Sequence, residues 1–174
     1  RRHGAGTFVS AQPDARRADP WTQLLQRQPL MQADLLEFRD MLETRCAALA
    51  AERADAADLA RLAERHAAVA AAYAGTDRRA QVHADVAFHR AIADATGNPV
   101  FSYLVATLLA LLHEHVRLSL IDVAPDSDTA HHLAREHAAL HAAIQARDPA
   151  AAQRAAAAHI AHVRSRWDAA AAPQ

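Results

Sequence analysis

Lysine is absent from this chain, and all 19 of its basic residues are arginine. Set against 20 acidic residues, they leave a formal net charge of −1, which excludes a global electrostatic footprint for nucleic acid or an anionic membrane. A single cysteine, Cys46, excludes an internal disulfide and points to a reducing compartment. There are only 4 glycines, and alternation of β-branched residues nearly vanishes after residue 12, which excludes a sheet-based body. The most apolar run, Tyr103 to Leu112, has about half of the roughly 20 residues that a membrane span needs. No apolar segment follows the opening RRHGAG, so no secretory signal is read and the expected location is the cytoplasm, with no membrane partner.

What remains is a chain of 174 residues, 52% hydrophobic, in which alanine carries much of that figure. This length buries a real core and fits one main domain with extra sequence at one end. The expectation is an all-α fold, an antiparallel bundle of six to seven helices preceded by a short β-prone remnant. Residues 1–12, with Gly4, Gly6 and Thr7 before a short TFV run, read as half of a hairpin, which is not stable alone. Residues 13–33 read as a linker with one short helix started by Asp19 and Pro20 and gripped by Trp21, Leu24 and Leu25. Residues 34–170 read as the helical body. Its first helix shows apolar residues at 35, 38, 42, 46 and 49. The second starts near Asp55 with Asp58 in a capping-box relation, and Gly75 is expected to cap its end. A third spans about Asp77 to Thr96. Asn98 and Pro99 open a long fourth helix reaching about Ile121, the fifth carries His131 to Ala146, and Asp148 and Pro149 open the sixth.

The third helix contains HADVAFHRAIADATGN, residues 83–98. At about 100° per residue, Asp85 and His89 lie about 40° apart on one face. The same face holds Val82, Phe88 and Ile92, so a carboxylate and an imidazole sit within an apolar stripe. The fifth helix does the same with His137, flanked by Leu133, Leu140 and Ile144. The sixth puts His159 beside Ala152, Ala156 and Val163. An ionised carboxylate buried without a partner costs several kcal/mol, roughly, so these groups either satisfy one another or hold something. A divalent metal does both, since imidazole suits Zn, Ni, Cu and Fe and mixed oxygen and nitrogen donors also admit Mn. Spacing alone equally admits His141, four after His137, and His162, three after His159. Hydrogen-bonded structural histidines are the plain alternative. Of the 12 histidines, His83, His131 and His132 fall on outward faces and His66 stands alone on the second helix; all four are expected to be solvated.

These residues carry a family resemblance. RRHGAGTFV is similar to the end of the wing in GntR-family winged-helix regulators. DLLEFRDMLETRCAALAAERA, ADVAFHRAIADATGNP and EHAALHAAIQARDPAAAQRAAAAHIAHV resemble successive pieces of that family's FadR-type, FCD ligand-binding domain. The likeness runs in order from residue 1 to about residue 170. In the metal-binding branch of the family, an Asp and a His four apart join two later histidines spaced as His137 and His159 are, 22 residues apart. The resemblance therefore implies Asp85, His89, His137 and His159 as ligands of a divalent ion, with Zn placed first and Ni or Mn as alternatives, and it demotes His141 and His162. It also implies Arg39 as the arm for an effector carboxylate, where the residues alone would give an exposed helix arginine. His113 and Arg117, one turn apart, are assigned to the same effector pocket. The implied protein is a ligand-responsive transcription regulator, a repressor in most readings, that binds operator DNA through an N-terminal winged helix as a homodimer and responds to a small carboxylic acid. The helices that read DNA and precede the wing are not in this sequence, so Gly4, Gly6 and Thr7 are the available DNA-facing candidates.

Two other functions compete. A helical metal-dependent hydrolase or lyase would use an open metal position to activate water. The sequence has no H-E-x-x-H, E-x-x-H or His-Asp pair and no evident general base, so no enzyme is expected. A metal-free dimerisation bundle with structural histidines is the other.

Overall fold

The computed structural model describes residues 29–112 and 127–171. Among these residues the chain is entirely helical, in six elements: α1 (Pro29–Arg53), α2 (Ala56–Tyr73), α3 (Arg78–Asp94), α4 (Pro99–Leu111), α5 (Asp128–Gln145) and α6 (Pro149–Ala171). No described helix is long and apolar enough to cross a membrane. The expected wing with Gly4, Gly6 and Thr7, most of the expected linker, and the effector-pocket candidates His113 and Arg117 lie outside the described residues.

Local chemistry sets the boundaries. Asp55 opens α2 with a full capping box: the Asp58 backbone N–H donates to Asp55 Oδ1 at 2.8 Å and the Asp55 N–H donates to Asp58 Oδ2 at 3.2 Å. Asp77 caps α3, and Asn98 caps α4 with Pro99 in its first turn. Ser127 caps α5, and the Asp148 side chain accepts from Ala151 N–H at the start of α6. The turn between α3 and α4 passes through Gly97 at φ 68°, the left-handed region that glycine enters without a Cβ penalty. At the end of α5 Arg147 takes φ 58° instead, and the bonds from Arg147 N to Ile144 O and from Asp148 N to Ala143 O complete a Schellman motif around it.

Two boundaries differ from expectation. The first helix begins at Pro29, inside the span assigned to the linker, because proline is already fixed near helical φ at a helix start. Helix α2 is capped by Ala74 in right-handed helical geometry. Gly75 follows without a left-handed φ, its N–H bonded to Ala72 O and its carbonyl accepting from Gln81 Nε2 at 3.0 Å. The described part of the fourth helix ends at Leu111 with Leu112 as cap, and the expected continuation to Ile121 lies outside the described residues.

Helix α1 is the central post. It packs along α6 and also meets α3, α4 and α5, while α2 pairs with α3 and α5, and α5 with α6. Its segment Cys46 to Ala51 is buried all round, as a helix surrounded by others must be. Alanine there loses no rotamer freedom and lets neighbours approach closely. Leu62, Phe88, Leu109, Leu133, Leu140 and Ile144 complete the core. The apolar stripe of α1 runs through Leu36 rather than Phe38, which is 37% exposed. That small rotation turns Arg39 and Glu43 inward.

Candidate metal centre

Three helices deliver four ligating side chains to one point in the core. The i, i+4 spacing on α3 brings Asp85 and His89 to the same buried face, α5 brings His137, and α6 brings His159; all four are buried. One nitrogen or oxygen from each lies within 4.8 Å of the others. The imidazoles of His137 and His159 are 4.5 Å apart between centroids, those of His89 and His159 5.1 Å. His141 and His162, admitted by spacing, do not join them. The amide of Gln145 meets His141 Nε2 at 3.1 Å and the His141 ring stacks on His66 at 4.5 Å, whereas His162 turns to Glu136 at 3.0 Å. His66 is therefore not solvated and alone, as expected from the sequence, but half-buried against another imidazole. His83, His131 and His132 are exposed as expected.

The two nitrogens of each central histidine have different surroundings. On the Nδ1 side, His137 donates to the Leu133 carbonyl at 2.9 Å, His159 to Glu136 Oε2 at 3.2 Å, and His89 faces Glu43 Oε2 at an ion-pair distance of 2.6 Å. The Leu133 carbonyl and Glu136 are acceptors, which assigns the Nδ1 hydrogen of His137 and His159 and leaves their Nε2 with its lone pair when the ring is neutral; Glu43 Oε2 lies close to His89 Nδ1 without hydrogen-bond alignment. The three Nε2 atoms are buried without a hydrogen-bond partner. His137 Nε2 stands 3.1 Å from Asp85 Oδ1, close enough for an ion pair but without hydrogen-bond alignment. A bare nitrogen lone pair facing a carboxylate is repulsive unless a cation lies between them. Buried polar atoms left unmatched in this way ask for a missing partner. The donor set, three imidazole nitrogens and one carboxylate with their far sides anchored, fits a divalent transition metal.

Electrostatics support the same arrangement. Burial works against a charge on Asp85, yet the His137 contact and the surrounding imidazoles hold its carboxyl far below the ordinary range. Burial, and then the nearby His137, push the His159 imidazole down to about 4, so the ring is uncharged at neutral pH and its Nε2 carries no proton. Burial also lowers His89, but the charge and contact of Glu43 outweigh it and the net direction is up. Tyr73 from α2 donates its hydroxyl to Asp85 Oδ1 at 3.3 Å.

Arg39 is 1% exposed, against the exposed position that its residue type alone would give. Its Nε donates to Glu43 Oε1 at 2.7 Å. Burial opposes the Glu43 charge, but Arg39 and then His89 hold this carboxyl at about 2. Glu43 thus ties the guanidinium to the His89 ring. Neither Glu43, Tyr73 nor Glu136 was singled out from the sequence. For Glu43 a signal was available, since 36, 39, 43, 46 and 50 form one helical stripe with two charged members.

Comparison with known proteins matches this architecture. Residues 34–162 match the FCD domain. The chain is 34% identical over 130 residues to the HTH-type transcriptional regulator LutR of Bacillus subtilis, covering 74% of this chain and 58% of that protein. It is 34% identical over 91 residues to the HTH-type transcriptional repressor NanR of Citrobacter rodentium, covering 51% and 33%. The chain thus matches less than two thirds of the length of either relative. Among solved structures, Streptococcus agalactiae GntR superposes with a TM-score of 0.67 at 25% identity over 94% of this chain and 72% of its own. E. coli McbR/YncC shares the fold, with a TM-score of 0.71 at 19% identity over 80% and 68%. These relatives bear the names of regulators and not of enzymes. The helical bundle and the matched residues agree, and the chain belongs to the GntR family as a member of its FCD-domain branch.

Proposed function

We propose that this chain is the effector-binding part of a ligand-responsive transcription regulator, in which Asp85, His89, His137 and His159 hold a divalent metal and a small organic acid is the signal. The observation that carries this reading is the set of three buried Nε2 atoms without partners, converging beside Asp85 while the Nδ1 atoms of His137 and His159 are held by acceptors and that of His89 faces Glu43. Zn is the first choice, with Ni or Mn as alternatives. A bound ion would supply Lewis-acidic positions for carboxylate or hydroxyl oxygens beyond the four protein donors.

The protein's own residues would do the rest. Glu43 and Glu136 fix the rings of His89 and His159, and Tyr73 fixes Asp85. Arg39, charged and buried, would pair with the acid, and its Glu43 contact keeps the guanidinium on the inner face of α1. His113 and Arg117 remain candidates for the same pocket. A winged helix preceding residue 1 would bind operator DNA, and a two-fold homodimer would match a palindromic site. The acid then alters DNA binding only by favouring one arrangement of the dimer over another.

Thermal shift with lactate, pyruvate, gluconate and succinate tests this, using metal-free and Zn-loaded protein. The expected result is a saturable rise in Tm for at least one acid in the loaded protein only, worth about 2.7 kcal/mol at a hundred times Kd. Arg39→Gln should abolish that rise and keep the rise due to Zn. Equal shifts with and without metal would overturn the role given to the metal.

A further inference from the structure

Behind the buried centre, on the solvent side of the α5/α6 seam, lies a second convergence of ligating side chains. His132 and Glu136 are one turn apart on α5, and His162 comes from α6. His132 Nε2 lies 3.0 Å from Glu136 Oε1, and His162 Nδ1 lies 3.0 Å from Glu136 Oε2. One ligating atom from each of the three falls within 4.8 Å of the others, and the two imidazoles meet edge to face at 4.4 Å between centroids. Unlike the core residues, these side chains are open to water: His132 is 51% exposed, His162 23% and Glu136 12%.

We propose that His132, Glu136 and His162 form a second, solvent-accessible site for a Zn-class divalent ion, separate from the buried centre. The donor types suit it, two imidazoles and a carboxylate, with water free to fill the remaining positions. The i, i+4 pair on one helix, closed by a ligand from its neighbour, holds the donors on rigid backbone. Here the ion replaces the protons of a hydrogen-bonded cluster. Glu136 divides its two oxygens: Oε1 faces the outer cluster, while Oε2 also accepts from His159 of the buried centre. An outer ion therefore sits one carboxylate away from the inner set.

Neither site needs the other to be real, and variants separate them. Untagged protein is stripped of metal and dialysed against graded free Zn(II), and bound metal is counted by mass spectrometry. The expected uptake is about two ions per chain in the natural sequence, in a tight and a weaker class, and about one in His132→Gln/His162→Gln, with the tight class retained. Asp85→Ala/His89→Ala is expected to lose the tight class and keep the weaker. Circular dichroism checks that each variant folds, and the single change His132→Gln at a half-exposed position should weaken the weaker class at least about tenfold. Identical uptake by the natural sequence and His132→Gln/His162→Gln at every free Zn(II) concentration would overturn the outer site. Loss of the tight class in neither double variant would overturn the inner one and leave the outer result standing.

Discussion

His137 and His141 lie one turn apart on the same helix, yet their surroundings are opposite. His137 is completely buried, its Nδ1 on a backbone carbonyl and its Nε2 directed at Asp85 without a hydrogen bond. The half-buried His141 has its Nε2 met by Gln145, and its ring is stacked against His66. The difference shows that being a histidine near the core does not make a ligand. What separates them is a second nitrogen left unmatched in a dry place where other donors converge.

The sharpest way to break the comparison is to truncate each member. His137→Ala should weaken Zn binding more than about 100-fold, beyond the 10–100-fold typical of an outer supporting residue. His141→Ala should leave tight Zn binding unchanged and alter stability by less than about 1 kcal/mol. Competition against a chelator and urea unfolding read the two effects. If both lost metal alike, the distinction would fail.

Next in size is Glu43→Gln, which leaves the His89 ring in place but removes the carboxylate behind it. Zn affinity should fall about 10–100-fold. The same change has a pH signature. Glu43 is held at about 2 against an ordinary 4.5, so its contribution to stability is complete above pH 4.5 and is lost as pH falls towards 2. The variant should therefore show a flatter acid limb in that window, measured by unfolding at a series of pH values.

The smallest effect belongs to the stacked pair. Burial lowers both His66 and His141 below 6.5; the next cause is the nearby His137 for His66, and the stacked His66 ring for His141. The unfolded chain takes up protons first as pH falls below that value, so the pair subtracts stability on acidification. His66→Phe keeps a stacked ring and removes the repulsion. The His141 pKa should then rise towards 6.5 in an NMR titration, and an unchanged titration would show that the rings do not interact.

Much of this was legible in the sequence. Asp55 with Asp58, Asn98 with Pro99 and Asp148 with Pro149 announce helix starts because capping is local chemistry. Asp85, His89, His137 and His159 stood out because polar residues interrupt strong apolar stripes, but spacing admitted His141 and His162 as well, and only the family resemblance chose among them. The stripe of α1 was not: its alanines give weak phase information, Phe38 drew it one residue out of register, and Arg39 appeared to be a surface residue. Glu43 followed Arg39 out of view. His66 and His141 come from α2 and α5, and no pattern within either helix reports a stack across two. Glu136 was missed because two of its three partners, His159 and His162, are on α6, and a pairing between helices has no period.

The central claim is that Asp85, His89, His137 and His159 hold a metal, and metal content tests it most directly. Untagged natural protein and Asp85→Ala/His89→Ala are dialysed against a mild chelator and analysed by mass spectrometry. The account predicts about one tightly retained divalent ion per chain in the natural protein and none in the variant. Equal content in the two, or no retained metal in the natural protein after loading with Zn, Ni or Mn, would contradict it.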